Sequence, residues 1–102
     1  MPYIITYCWY PNHLADKVAK RYLDGMQKYP IPDIIKRTPP GSAADKDGIE
    51  SIIVDEVKPK NLGAAWEYLE KFLIEFRDIE GFRWHRKIYG TVVEVLKLVG
   101  MG

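Results

Sequence analysis

One short segment near the start of the chain constrains the fold most, because it is apolar on both of its alternating faces. Residues 2–10, PYIITYCWY, are rich in β-branched and aromatic side chains, which favour a β-strand. Successive side chains of a strand point to opposite faces of the sheet. One set is Tyr3, Ile5, Tyr7 and Trp9, and the other is Ile4, Thr6, Cys8 and Tyr10. Neither set is polar enough to face water. The sequence therefore predicts a central strand that is buried on both faces.

A helix and a pair of strands are predicted next. Apolar residues recur at helical spacing after Asn12, a plausible N-cap, and stop at the YPIP sequence of residues 29–32. The second strand, at 34–38, runs into Pro39 and Pro40, which are tolerated at a sheet edge and not in a central ladder. The DKDG sequence that ends at Gly48 is a strong turn signal, so this strand and the following GIESIIVDEV segment are predicted to form a hairpin.

The second half of the chain repeats the helix-then-strand order. A wide apolar stripe after Asn61 predicts a second helix, and GFRWHRKIYG at 81–90 predicts the fourth strand. In the tail, Thr91 and Glu94 match a capping box, so residues 92–98 are predicted as a short helix. The β-branched valines of the tail also fit a fifth strand.

The order β-α-β-β-α-β predicts one α+β domain over residues 1–102, with a ferredoxin-like, antiparallel, four-stranded sheet. Both helices are expected on one sheet face, with the first and third strands central. On the third strand we expect Ile52 and Val54 to face the helices and Ser51, Ile53 and Asp55 to face away. On the fourth we expect Phe82, Trp84 and Ile88 to face the helices and Arg83, His85, Lys87 and Tyr89 to face away.

The second sheet face is therefore predicted to be uncovered, aromatic in the middle and basic along one edge. Leaving Ile5, Tyr7, Trp9 and Ile53 in water would forgo several kcal/mol at roughly 25 cal/mol per Å². Self-association would cover these side chains without a different partner, and a twofold dimer is its commonest form. We therefore expect a homodimer or a higher homo-oligomer.

Charge and composition exclude several classes of function. The chain has 15 Lys and Arg against 14 Asp and Glu, a balance that gives no reason to expect nucleic-acid binding. No apolar run approaches the roughly 20 residues that span a bilayer, so no membrane partner is expected. Cys8 is the single cysteine, which excludes an internal disulfide. The N-terminus has no basic region or small-residue cleavage site, and we expect a cytoplasmic protein.

Element order, small size and a partly apolar uncovered face make residues 2–90 resemble the dimeric α+β barrel proteins. These include antibiotic-biosynthesis monooxygenases that use no cofactor, EthD-like proteins and stress-responsive barrel proteins. The resemblance implies a homodimer and a cavity between sheet and helices. It is architectural, so no functional residue is transferred from it, and fold alone does not define a reaction.

The candidate site residues come from the uncovered face, except Arg37, which is a basic residue of the second strand. His85 is the candidate acid–base group, since its ordinary pKa is near 6.5, and Asp55 is the candidate for orienting it. Tyr7, Trp9, Arg37 and Tyr89 are the candidates for substrate binding. The alternatives are a solvated, charged edge strand for His85 and an interface or core role for the aromatic residues. The two histidines are far apart and there is no cysteine pair, so no metal site is expected.

Two functional hypotheses follow from these residues. The first is binding, and conversion without a cofactor, of a small, partly apolar or anionic molecule. The second is a ligand-sensing or assembly module without catalytic activity, in which the uncovered face serves only as an oligomer interface. The glycines form no phosphate-binding pattern, and Ser42 and Ser51 lie outside any nucleophile-elbow context.

Overall fold

A computed structural model describes residues 1–101 as an α+β fold with a five-stranded antiparallel sheet and three helices. The strands are β1 (Tyr3–Tyr10), β2 (Ile35–Arg37), β3 (Gly41–Asp45), β4 (Gly48–Val57) and β5 (Arg83–Tyr89). The helices are α1 (Ala15–Lys28), α2 (Leu62–Ile74) and α3 (Val92–Leu98). Short 3₁₀ turns at Asn12–Leu14 and Pro59–Asn61 lead into α1 and α2.

β1 lies in the middle of the sheet, as its composition predicts. The strand order is β2-β4-β1-β5, and β3 also pairs with β4. Each neighbour of β1 runs antiparallel to it, so that Tyr7 lies opposite Ile52 on one side and opposite His85 on the other. The predicted hairpin is also present, because β3 and β4 are joined at the Asp45–Gly48 pair.

The prediction of four strands is wrong, because the second predicted strand is split in two. β2 pairs with the end of β4 at Val57, and β3 pairs with its beginning. Pro39 and Pro40 lie between them and have no N–H to donate to the ladder. The last ladder bond before them runs from the Thr38 amide to the Val54 carbonyl, at 3.0 Å. The edge of the sheet is therefore interrupted where the two prolines stand.

The predicted faces of the third strand, now β4, are also wrong. Ile53 and Asp55 are buried and lie opposite Thr6 and Ile4, which are themselves buried. Residues that are directly opposite in a ladder share a face, so these four side chains all point to the helices. Ile52 points the other way and is 37% exposed. The faces of β5 are as predicted, with Arg83, His85, Lys87 and Tyr89 turned away from the helices.

The core fills the space between the sheet and helices α1 and α2 in two clusters. The first contains Cys8, Val18, Phe72, Leu73, Phe76 and Ile79, and the second contains Ile4, Ile35, Val57, Ala65 and Leu69. Trp66 and Trp84 pack against these clusters, and Trp84 thus faces the helices as predicted. The two helices approach closely, since a Cβ at Gly25 would lie 3.1 Å from the Phe72 ring.

The capping predictions are met in the tail and not at the first helix. Asn12 donates from Nδ2 to the Asp45 carbonyl at 2.9 Å instead of capping α1, which begins at Ala15. Thr91 and Glu94 do form the capping box, and the tail is helical from Val92. Among residues 1–101, no helix is both long and apolar enough to cross a membrane.

Candidate functional site

An apolar cavity of about 460 Å³ lies between the sheet and helices α1 and α2. Its inner wall contains Cys8, Val18, Ile53, Phe72, Leu73 and Phe76. Its rim is formed by Leu23, Pro40, Gly41 and Ser42, which are all exposed. The volume lies in the range of about 300–1,000 Å³ that is typical of small-molecule sites. The interrupted edge between β2 and β3 therefore coincides with the entrance.

The polar groups of this cavity are few and uncharged. The hydroxyls of Ser42 and Ser51 lie 2.7 Å apart across the β3–β4 pair. Tyr22 also lines the cavity from α1. Burial raises the pKa of the Cys8 thiol to about 12, so this sulfur is a neutral thiol at physiological pH. Within the described chain, the cavity wall contains no charged side chain that could act as a general base.

A buried ion pair lies next to the cavity, two residues further along β4. Arg37 donates from Nε to Asp55 Oδ1 at 2.7 Å and from Nη2 to Asp55 Oδ2 at 3.0 Å. The two side chains are only 7% and 0% exposed. Burial alone would lower the pKa of Arg37, but the hydrogen bonds and the charge of Asp55 outweigh it and raise this pKa. Arg37 is therefore charged and is held in place by Asp55.

The second candidate region is the sheet face that is turned away from the helices, which we call the open face. Its central column is Tyr3, Ile5, Tyr7 and Trp9 on β1. β4 contributes Glu50, Ile52, Val54 and Glu56, and β5 contributes Arg83, His85, Lys87 and Tyr89. The open face is therefore apolar in the middle, basic along β5 and acidic at both ends of β4.

Three aromatic side chains of the open face interact with one another. The rings of Tyr7 and Trp9 stack with centroids 6.0 Å apart, although Trp9 stays 40% exposed. The hydroxyls of Tyr7 and Tyr89 lie 3.5 Å apart. That hydrogen bond raises the pKa of Tyr7, with burial and the neighbouring tyrosine adding to it. Tyr7 is therefore a neutral phenol at physiological pH.

The predicted site residues separate into two groups. Tyr7, Trp9, His85 and Tyr89 lie together on the open face, as expected, with His85 directly opposite Tyr7. Asp55 and Arg37 lie on the helix side of the sheet, bound to each other. The prediction that Asp55 orients His85 is therefore wrong, because the sheet separates the two side chains. Arg37, a candidate for substrate binding, is buried there with its Nε and Nη2 groups donating to Asp55.

Sequence reasoning missed the residues that line the cavity. Tyr22, Leu23 and Phe72 lie on helical stripes whose spacing indicates core packing and gives no sign of a gap. The usable signal was the combination of a small residue on α1, Ala19, with the proline break in the facing edge strand. A small residue opposite an interrupted edge leaves space that no side chain fills.

A second depression, of about 410 Å³, lies at the end of the sheet around Trp9, Gly48 and Arg83. It contains the carboxylates of Asp45, Asp47 and Glu50. Across the part of the chain that the structure describes, no three His, Cys, Asp or Glu side chains are placed to share a metal ion.

Comparisons with known proteins bear on the fold alone. No protein-family model matches the chain, and no curated protein matches it. Among solved structures, the chain is similar to the de novo designed protein Foldit4, with a TM-score of 0.53 and 6% identity. That match covers 89% of this chain and 99% of the designed protein. At this identity the similarity supports the α+β architecture and carries no information about function.

Proposed function

We propose that this protein is a homodimeric α+β barrel protein that binds a small, largely apolar and uncharged molecule in the cavity between its sheet and helices. The observation that carries the proposal is the cavity of about 460 Å³ with an apolar wall and an open entrance at the interrupted edge. Natural cores are packed nearly as densely as organic crystals, so an unfilled space of this size needs an explanation. Ligand binding supplies it.

The chemistry of the cavity wall favours an uncharged ligand over an anionic one. Arg37, on β2 beside the cavity, has its Nε and Nη2 groups engaged with Asp55. The hydroxyls of Tyr22, Ser42 and Ser51 provide neutral hydrogen-bonding groups for an alcohol or carbonyl oxygen. The proposed ligand is therefore aromatic or aliphatic, with one such oxygen directed at the serine pair.

The wall also favours binding over conversion. Cys8 is protonated, and the Arg37–Asp55 pair is closed on itself, so neither provides a free nucleophile or base. His85 is exposed and lies on the other face of the sheet. Conversion without a cofactor would have to take place between two copies, where His85 would be the acid–base group and Tyr7, Trp9 and Tyr89 the walls.

The dimeric barrel is the finer part of the proposal. It is supported by the strand order, in which β1 and β4 are central, and by the reading of β2 and β3 as one interrupted edge strand. On that reading the fold is a ferredoxin-like one with a split second strand. The exposed apolar residues of the open face, Trp9 and Ile52, supply the surface that a second copy would cover.

A second candidate function, an assembly module without a ligand, is favoured by the same open face. Its aromatic centre and charged sides are typical of an interface, with a polar rim around an apolar core. In that case the cavity would be a packing defect, and only the open face would have a role.

Titration with 1-naphthol, followed by amide NMR shifts, tests binding in the cavity. In Ala19→Phe the new ring would extend from α1 into the cavity, and we expect binding to weaken at least tenfold. Lys20→Phe is the matched control, because Lys20 is exposed on the same helix outside the cavity wall. The anion 1-naphthoate should bind more weakly than 1-naphthol. Absence of shifts around Tyr22 and Phe72, or equal binding by the two variants, would rule out this site.

A further inference from the structure

The chain exposes more surface than a folded monomer of its size. A monomer of 11.8 kDa is expected to expose about 5,900 Å². The described structure exposes 6873 Å². The difference of about 1,000 Å² is comparable with the roughly 800 Å² that each partner buries in a standard protein–protein interface. The excess surface is therefore sufficient for a stable contact with another protein.

Much of the excess comes from α3 and the residues after it. Val92 is 75% exposed, Leu98 is 85% exposed and Met101 is 76% exposed. Val93, Val95, Leu96 and Val99 are also exposed. The start of the helix is nevertheless fixed, since the Thr91 hydroxyl accepts from the Glu94 amide at 3.1 Å and the Glu94 carboxylate accepts from the Thr91 amide at 3.0 Å. α3 is thus an ordered apolar surface.

α3 continues directly from the open face. Only Gly90 and Thr91 separate it from Tyr89, whose side chain lies on the open face opposite Tyr3. At about 3.5 Å per extended residue, the first turn of α3 begins within roughly 10 Å of Tyr89. α3 therefore begins at the Tyr3–Tyr89 end of the open face, with the exposed Trp9 at the other end, so one partner lying along the strands can cover both apolar surfaces.

The charges of the open face identify that partner as a second copy. Glu50 and Arg83 lie on either side of Trp9, in the same row of the sheet. A twofold axis parallel to the strands places β4 of each copy over β5 of the other, so each Glu50 would face the partner subunit's Arg83. An axis across the strands would instead place Glu50 over the partner subunit's Glu56, and like charges oppose association.

We propose that α3 and the open face form one interface with a second copy of this chain, with the twofold axis parallel to the strands and α3 packed against the partner. This arrangement rests on the homodimer of the proposed function and adds its geometry and a second contact element. It assigns a role to the tail, which lies outside the cavity and outside the resemblance to barrel proteins.

Sedimentation equilibrium of the full chain tests the contribution of α3. We expect the wild type to be a dimer at micromolar concentration, and Leu98→Lys to raise its dissociation constant at least tenfold. Ile74→Lys is the matched control, since Ile74 is 40% exposed on α2, away from both surfaces, and it should change the constant less than twofold. A Leu98→Lys variant that dimerises like the wild type overturns the role of α3, and a monomeric wild type overturns the whole interface. Naphthol binding to the cavity is measured separately and survives either result.

A charge swap tests the direction of the axis. Glu50→Arg and Arg83→Glu should each weaken the dimer at least tenfold, and the double variant should return close to the wild-type constant. Both residues are exposed, so circular dichroism should show an unchanged monomer fold. If the dimer of the double variant is weakened by as much as the two single effects added together, an axis parallel to the strands is excluded.

Discussion

Arg37 and Asp55 form a two-bond ion pair on the helix side of the sheet, directly opposite each other across β2 and β4. The pair is buried beside the clusters that contain Ile4 and Cys8. A buried pair of charges is sensitive to the loss of one member, because the other is then left unpaired in a medium that solvates it poorly.

Removal of one member of this pair should therefore destabilise the protein strongly. We expect Arg37→Met to lower the free energy of unfolding by about 3–5 kcal/mol, as for other broken buried pairs. The double variant Arg37→Met with Asp55→Leu should recover most of this loss, because it leaves no buried charge. Urea unfolding followed by tryptophan fluorescence measures both values. A double variant less stable than Arg37→Met would show that the pair is needed as a pair.

Thr6 offers a stabilising substitution. Its side chain is fully buried, and its hydroxyl has no hydrogen-bond partner among residues 1–101. A buried hydroxyl without a partner costs about 1–3 kcal/mol, and Val has nearly the same shape as Thr. Thr6→Val should raise the free energy of unfolding by about 1 kcal/mol. Thr38→Val, at an exposed position, is the control, and equal effects at the two sites would contradict this account.

Cys8 should make the protein less stable at alkaline pH. Burial raises the pKa of its thiol from 9.0 to about 12, so the folded state holds its proton where the unfolded state loses it. The contribution of the protonated thiol to the free energy of unfolding is complete below pH 9.0. It declines as the pH rises toward 12, by at most about 1.4 kcal/mol per pH unit. Cys8→Ala should flatten this decline between pH 9 and 11 in urea unfolding experiments. An identical slope in the variant would show that the thiol is not responsible.

The turn between β3 and β4 depends on Gly48. Its φ is +133°, and a Cβ there would lie 2.8 Å from the carbonyl oxygen of Tyr10. Gly48→Ala should therefore lower the free energy of unfolding by more than about 1 kcal/mol. Gly63 in α2 is the contrast, since no described atom lies within 4 Å of its Cβ position. Gly63→Ala should stabilise the helix by up to about 1 kcal/mol, and thermal unfolding compares the two variants directly.

The sequence predicted the layout of the fold because the strongest patterns were unambiguous. Both faces of β1 are apolar, which a central strand alone allows, and the DKDG turn defines one hairpin. It did not predict the faces of β4, since Ile52, Ile53 and Val54 are consecutive apolar residues and fit either face. Strand alternation therefore does not indicate which face of β4 is turned to the helices. In the structure, the buried ion pair of Asp55 with Arg37 places Asp55 on the helix side.

The candidate site was predicted only in part, for a related reason. The aromatic and basic residues of the open face follow from strand alternation, and they lie where it predicts. A cavity, by contrast, depends on how far a helix stands from a sheet. The position of a helix depends on tertiary contacts, such as that of Gly25 on α1 with Phe72 on α2, which link positions far apart in the sequence. No periodic pattern in the sequence indicates the spacing between helix and sheet.

The interruption at Pro39 and Pro40 also affects how the sheet meets other chains. An intact edge strand offers a continuous row of amides and carbonyls on which another polypeptide can add. Here two consecutive residues have no N–H, so an incoming strand would lose its register halfway along this edge. The same break that lines the cavity entrance therefore also opposes strand addition at this edge.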